Sequence, residues 1–492
     1  MQKVLSFLQS RRHHIAVAIA LLACCAAVPY IFRSLWFDEV LTMEVFVRPQ
    51  RFWNIYWAYN IPNNHIIFSL CEKLWTLFIA LIMGEGFCMP FLYRMVSLAF
   101  AIPAVILFTE KLMDKCGILV GAIVGASLCI STTFILFSTC IRGYMLSFFF
   151  TVFAFYAAEK IVKYNRKRDY FLYFAACILS VGTIPANLAA LGAVALFFLP
   201  TLFFHRKRIW SSFFLCFLPV LALIVFYTPI ARKFFANMDR GEGWTSPAAA
   251  ATNLYFSFAV MVLMLLPFAL LGGVHYFRKH YRKLKWHFAA GVLIFLLPVP
   301  AFFVFKNAAF PRVFFPLFPV WGMCIGLLLA MYWKSCKTAK GKWAPILLQI
   351  FSLILLLEFA PQVSDFVYSS GRDDDLTMPY HLRHTFSPPE MLGEIKERLD
   401  RGEKLYVFAT FHSDAPANAY EVMLRGLPPE TVRTDAFGGF WEQEIVRKKE
   451  EGYNIYFLTG SVIDLEYNIR RFGFSGSEPV LIRQYQRLDR IY

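Results

Sequence analysis

Charge is scarce. Asp, Glu, Lys and Arg make up 17% of the 492 residues, against about 25% in a typical soluble domain. Neither GxGxxG nor GxxxxGK[ST] occurs, which excludes the usual strand–helix phosphate cradles of nucleotide-binding proteins. No CxxC pair and no Cys/His spacing suited to zinc is present, and no cysteine follows Cys336. No internal repeat or low-complexity tract stands out. What remains is apolar: 58% hydrophobic, 18% aromatic, 54 Phe, and a mean hydropathy of +0.52. That composition defines a polytopic membrane protein rather than a string of soluble domains.

Eleven Cys are present. Most sit inside apolar runs, as Cys24, Cys25, Cys129, Cys177, Cys216 and Cys324 do, and behave there as small hydrophobes. The formal net charge is +16. It lies mostly in short loops between apolar runs, where it orients helices, so no nucleic-acid partner is inferred. The first apolar run, Ile15 to Phe32, follows Arg11 and Arg12 and has no small-residue cleavage site after it. It reads as a retained first helix.

A spanning helix needs about 20 mostly apolar residues. The runs 14–33, 91–109, 117–140, 143–162, 169–185, 188–204, 210–230, 253–274, 287–305, 312–333 and 343–361 meet that need. They predict a polytopic α-helical membrane protein with about eleven transmembrane helices. "TIPAN" (183–187) breaks the long run 169–204, because Pro185 lacks a donor and Asn187 favours a turn. The stretch 65–83 is long enough to span, but Glu72 and Lys73 sit at its centre, where a charge is costly. It reads as an amphipathic helix at the interface. Leaving it out puts Arg11/Arg12, "KIVKYNRKR", "HRKR", "RKHYRKLK" and "KSCKTAKGK" all on one side. By the positive-inside rule that side and the N-terminus are cytoplasmic.

Residues 1–362 then form the transmembrane catalytic domain, with 34–90 as a first outer loop. Residues 363–492 form an extracytoplasmic domain. In that tail 387–400 reads as a helix with Ser387 as N-cap, 404–411 as a strand, 415–427 as helical, 453–460 as a strand, 462–474 as a helix and 479–488 as a strand. Alternating strands and helices predict an α/β domain.

The outer face collects a distinctive set: "WFDE", "RFWNIYWAYN" and "IPNNHIIF" in the first loop, then "TCIRGY", "TIPAN", "ARKFFANMDRGEGW" and "KNAAFPR". Basic residues are disfavoured in short outer loops, yet Arg142, Lys306 and Arg312 stand at helix mouths there. Arg can hold a phosphate bidentately and Lys can add a point charge. The plain alternative is snorkelling, or pairing with a neighbouring acid. Asp38 and Glu39 follow Trp36 and Phe37 at the outer end of helix 1. A carboxylate there suits a general base acting on a hydroxyl, or a ligand to a divalent cation such as Mg or Mn. Its plain alternative is a solvated helix end. Asn64 and His65 offer hydrogen-bonding groups, as do Tyr144 and Trp244 in later outer turns.

In order and spacing these segments resemble the glycosyltransferase C (GT-C) superfamily. The closest branch is the bacterial one related to protein O-mannosyltransferases and aminoarabinose transferases. "LWFDE" is similar to that family's acidic motif, "NNHIIFSL" stands where members carry a His-Pro-Pro or Asn-His-Pro stretch, and "FSTCIRGYMLSFFF" is similar to its Ser-x-x-x-Arg-x-Tyr segment. "YRMVSLAFAIPAVILF" resembles its Arg-Leu-containing helix and "PRVFFPLFP" its late Arg-Tyr-x-x-Pro segment. The likeness covers about residues 10–335, with departures at Ile66 and Ile67, at Val313 and at "PANL". The resemblance implies an inverting transferase of the bacterial inner membrane. It would take a sugar from a polyprenyl-phosphate donor and pass it to an extracytoplasmic acceptor: a glycolipid, a cell-surface glycan or a protein. It implies phosphate binding by Arg142, Lys306 and Arg312 and catalysis by Asp38 with Glu39, with Asn64, His65, Tyr144 and Trp244 as substrate contacts. The alternatives are a polysaccharide ligase or polymerase, or a transporter of lipid-linked sugars. A transporter would carry charges near mid-membrane and inverted repeats, and neither is evident.

Overall fold

The computed structural model describes residues 11–32, 35, 37–59, 64–84, 90–238, 246–262, 265–304, 311–337, 388–409, 431–434, 441–459, 462–483 and 486–492. The chain divides into two compact units. One comprises Met1–Ile31, Arg51–Trp75 and Leu92–Met378; the other comprises Phe32–Gln50, Thr76–Phe91 and Pro379–Tyr492.

The first unit is helical. Among the described residues, six helices are long and apolar enough to cross a membrane: Ile66–Met83, Pro90–Cys116, Tyr144–Tyr164, Pro185–Phe204, Ile209–Ala236 and Arg312–Lys334. Arg12–Val28, Ile118–Cys129 and Leu284–Pro300 are shorter apolar helices. The expected span 343–361 lies outside the described residues.

Three helical expectations change. The run 117–140 is not one helix but two, Ile118–Cys129 and Thr132–Ser138. Ser131 is extended between them, and its Oγ accepts from the Phe134 N–H, a cap that starts a new helix inside an apolar run. The basic stretch 278–285 is helical on both sides of a break at His280, whose backbone (φ −123°, ψ 20°) divides Leu266–Leu296 into two helices. Lys, Arg and Leu are good helix formers, which carries helix up to the break from either side.

The third change concerns the Ile66–Met83 helix. Glu72 is fully buried, while Leu74, Leu77, Phe78, Leu81 and Ile82 are exposed. The acid therefore faces protein and the greasy residues face outward. The lipid-facing charge that argued against spanning does not exist at Glu72.

Packing in this unit centres on rings. Trp321, with no exposed surface, stacks among Tyr255, Phe295 and Phe318, and its Nε1–H donates to the Ile294 carbonyl. A buried ionic knot ties two helices. Glu159 accepts from Lys111 Nζ at 2.6 Å and Lys163 Nζ at 2.9 Å and is paired with Lys115.

The second unit contains a five-stranded sheet: β1 Leu405–Ala409, β2 Val432–Thr434, β3 Asn454–Thr459, β4 Ser477–Arg483 and β5 Gln486–Ile491. Its order is β2-β1-β3-β5-β4, with β1 parallel to β2 and β3 and with β5 antiparallel to β3 and β4. Both faces are covered, so the central strands read as unbroken apolar runs. Leu405, Val407, Tyr456 and Leu458 pack with Ile395 of the Pro388–Asp400 helix on one face. Tyr406, Phe408, Ile455 and Phe457 pack with Ile445, Leu465 and Phe472 on the other. The expected strand 479–488 is in fact two antiparallel strands, β4 and β5. Alternation in the sequence continues unchanged from β4 into β5, and no Asn-Gly or Asp-Gly marks a turn. The expected helix 415–427 lies outside the described residues.

Glu403 anchors the near edge of this sheet. It accepts from Tyr456 Oη at 2.6 Å and Asn454 Nδ2 at 2.7 Å, and it pairs with Arg398. Burial opposes its ionisation, but those donors and the Arg398 charge outweigh burial and hold the carboxyl below its usual range. A depressed carboxylate adds stability above its unfolded pKa and loses it as pH falls through the folded one. Glu403→Gln is therefore expected to speed amide exchange in β1 and β3 at neutral pH. The difference from wild type should vanish in acid below the folded pKa. A difference independent of pH would show that the carboxylate charge contributes nothing.

Candidate active site

Arg142 lies in the turn between the Thr132–Ser138 and Tyr144–Tyr164 helices and is 1% exposed. His65, which just precedes the Ile66–Met83 helix, reaches this turn from 77 residues away and is 5% exposed. The Gly143 backbone N–H donates to His65 Nδ1 at 2.9 Å. Arg142 Nη2 stands 3.2 Å from His65 Nε2. Gly143 makes this approach feasible. A Cβ there would overlap Thr183 Cγ2 and come within 3.0 Å of the His65 Nδ1.

Aromatic side chains wall the turn. The buried Tyr144 ring meets His65 edge-on, with centroids 5.2 Å apart, and Phe137 at 4.8 Å. Phe137 in turn meets Phe315 at 4.8 Å. Phe315 belongs to the 3-10 helix Pro311–Leu317, which also carries Arg312. A chain of rings thus docks the Arg312 turn against the Arg142 turn. Asn187 locks the turn after the Lys167–Thr183 helix in place by donating to Ser147 Oγ and to the Ser180 carbonyl, each at 2.7 Å.

The electrostatics follow from this packing. Burial first, then the positive charges of Arg142 and Arg312, push the His65 pKa well below its ordinary value, so the ring is neutral. Two guanidinium groups thus act on one neutral imidazole.

Of the residues expected from sequence, Arg142, Arg312, His65 and Tyr144 come together here. Asn64 has a different task. Its amide donates to the Ile55 and Ala58 carbonyls, and its Oδ1 accepts from Ser69, so it ties residues 55–58 to the start of the Ile66–Met83 helix. Lys306 and Trp244 lie outside the described residues.

Asp38 and Glu39 belong to the second unit. They occupy the first turn of the Phe37–Leu41 helix, which continues as a π-helix over Thr42–Val47. Acids there complement the helix dipole. They are 7% and 1% exposed, so they are not a solvated helix end. Among the described residues, no group of three or more His, Cys, Asp or Glu gathers to hold a metal ion. A Mg ion commonly takes only one or two carboxylates from protein where a substrate phosphate and water complete its shell, and Asp38 and Glu39 could supply those carboxylates.

Sequence reasoning missed Gly143, Thr183, Asn187 and Phe315. The signal for Gly143 was its place beside Arg142 in "CIRGY", and Thr183 and Asn187 stood in the "TIPAN" turn without a role assigned; nothing local marked Phe315.

Solved structures that share the fold include two of ArnT from Cupriavidus metallidurans. One is bound to undecaprenyl phosphate (TM-score 0.51, 11% identity) and one is in the apo state (TM-score 0.52, 12% identity). Each match covers 96% of this chain and 97% of the ArnT chain. At such identity the likeness is one of fold. No family model matches the sequence, and no curated protein matches it.

Proposed function

We propose that this chain is an inverting membrane glycosyltransferase that takes its sugar from a polyprenyl-phosphate donor and delivers it to an extracytoplasmic acceptor. The observation that carries the reading is the buried Arg142–His65 pair, with Arg312 close enough to press on the same imidazole, in a chain folded like ArnT. The crystallised ArnT complex holds undecaprenyl phosphate, and a guanidinium-rich site suits that headgroup.

The donor phosphate lies against Arg142 and Arg312, joined by Lys306. The sequence resemblance carries the role of base to Asp38. It takes the proton of the acceptor hydroxyl as the oxygen attacks the anomeric carbon from the face opposite the phosphate. The bond from that carbon to the phosphate oxygen breaks, and polyprenyl phosphate leaves with the electron pair. Charge stabilisation by the guanidinium groups serves this low-pKa leaving group better than a strong acid would. Glu39 orients the acceptor or helps hold a cation. Tyr144 and Trp244 bound the sugar.

The test is direct. Purified protein in lipid nanodiscs, given a panel of labelled polyprenyl-phosphate sugars and envelope acceptors, is expected to transfer label from one of them. Passage of intact lipid-linked sugar across a vesicle membrane, without transfer, would favour the transporter instead. Lipid-linked saccharide profiling of a deletion strain names the donor that accumulates.

Orientation follows from the charge bias, and it decides whether the Ile66–Met83 helix spans. Reporters fused after residues 83 and 370 are expected outside, and one after residue 166 inside. A cytoplasmic signal at 83 would make this helix a span and invert the rest.

A further inference from the structure

Two basic turns of the helical unit are stitched into one rim. Asn165, with φ +56°, closes the Tyr144–Tyr164 helix, and its backbone N–H donates to the Ile161 carbonyl at 3.0 Å. Its Oδ1 accepts from Tyr170 Oη at 2.6 Å and from Ser211 Oγ at 3.0 Å. Arg208 Nη1 donates to the Val162 carbonyl at 3.2 Å. The turn at 165–168 and the turn at 206–208 therefore sit side by side, at the opposite end of the Tyr144–Tyr164 helix from Arg142.

Charge at this rim is sorted by depth. The acids are inside. Glu159 is buried and held by Lys111, Lys115 and Lys163. Asp169 has no exposed surface, and Arg168 Nε is 4.0 Å from it. The bases are outside. Lys167, Arg206 and Lys207 are exposed, and among the described residues none of these three side chains is paired. Beside the charges the surface turns apolar. Ile209 and Trp210, which follow Arg208, are 64% and 75% exposed. Phe213 and Phe217 are exposed on the same helix and stack with centroids 5.3 Å apart. A free anion would use the cations alone. Cations on the turns and bare rings on the helix leaving them suit a ligand with an anionic head and an acyl tail.

We propose that this rim docks an anionic phospholipid of the leaflet it faces. The headgroup phosphate lies against Lys167, Arg206 and Lys207, and an acyl chain runs along Trp210, Phe213 and Phe217. The charge bias makes this the cytoplasmic leaflet, whose anionic lipids attract basic segments next to spanning helices. The site needs no transferase chemistry.

The experiment reads Trp210 in the full chain, reconstituted in phosphatidylcholine vesicles. Brominated acyl chains quench tryptophan on contact, and the share due to Trp210 is the difference from Trp210→Phe. Brominated phosphatidylglycerol is expected to quench it at a lower mole fraction than brominated phosphatidylcholine. That preference should shrink as salt rises. Lys167→Gln, Arg206→Gln and Lys207→Asn should each lower it about fivefold at low salt, the worth of one basic residue at an anionic surface. Asn suits position 207 because the backbone there is left-handed, with φ +51°, which Asn tolerates. Lys167→Arg keeps the charge and should keep the preference. Thermal unfolding in one detergent checks that each variant folds. Equal quenching by the two lipids in the wild type overturns the proposal. So does a preference that ignores salt, or one that survives the three neutral substitutions together. Loss of the preference to inorganic phosphate, but not to chloride at matched ionic strength, would define a phosphate site rather than a lipid one and overturns it too.

Discussion

Asp38→Asn is expected to lower turnover by about 10²–10⁴-fold, the usual loss when general-base help disappears. Donor affinity and protein level should stay near wild type. Asn keeps the size of Asp and its hydrogen-bonding reach but cannot take a proton. Asp38 is buried at the first turn of its helix, and the Thr42 hydroxyl bonds to the Asp38 main-chain carbonyl rather than its carboxylate. The helix start should therefore survive the substitution. Glu39 projects about 100° around the same helix, so the two acids cannot both meet one hydroxyl, and Glu39→Gln should cost less. The measurement is transfer of labelled sugar from a defined donor by purified, folded variants. Near-normal turnover in Asp38→Asn would remove Asp38 as the base, and a greater loss in Glu39→Gln would move the role by one residue.

Arg142→Ala should weaken donor binding by about 1.5–3 kcal/mol, the worth of a hydrogen bond to a charged group. Arg142→Lys should recover part of it, because a point charge remains while the planar fork is lost. Arg312→Ala is expected to act in the same direction. Because Arg142 is buried beside His65 and the Tyr144 ring, folding must be checked by thermal unfolding in the same detergent. A folded Arg142→Ala protein with unchanged affinity for polyprenyl phosphate would make the arginine structural and leave the donor site to be found elsewhere.

The candidate residues were legible from sequence because they break local rules. Arg142 and Arg312 are basic at the mouths of apolar helices, and Asp38 and Glu39 are acidic at the end of a greasy run. His65 was legible as a polar residue at a helix start, but its task was not. That task depends on a backbone N–H contributed by Gly143, and nothing local to either residue encodes their meeting. Asn64 misled for the mirror reason. Its polar group looked available, and only the path of the loop showed Ile55 and Ala58 offering their carbonyls.

Hydropathy along the chain was sufficient to determine a helical membrane protein, because removing backbone groups from water demands internal hydrogen bonding wherever a run is long and apolar. It also determined the α/β character of the tail, since strands covered on both faces must be apolar throughout. Tertiary structure alone decided what those signals leave degenerate. Ser131 ends a helix that hydropathy would continue, helix runs into the basic stretch from both sides up to a break at His280 where charge alone suggests a loop, and β4 and β5 fold back where alternation runs straight on. It also decided that Glu72 faces protein, and that segments 32–50 and 76–91 share a unit with residues 379–492. The physical reason is common to all of these. Local sequence sets how a segment pays its desolvation and hydrogen bonding, whereas which distant segment satisfies the remainder is a property of the packed chain.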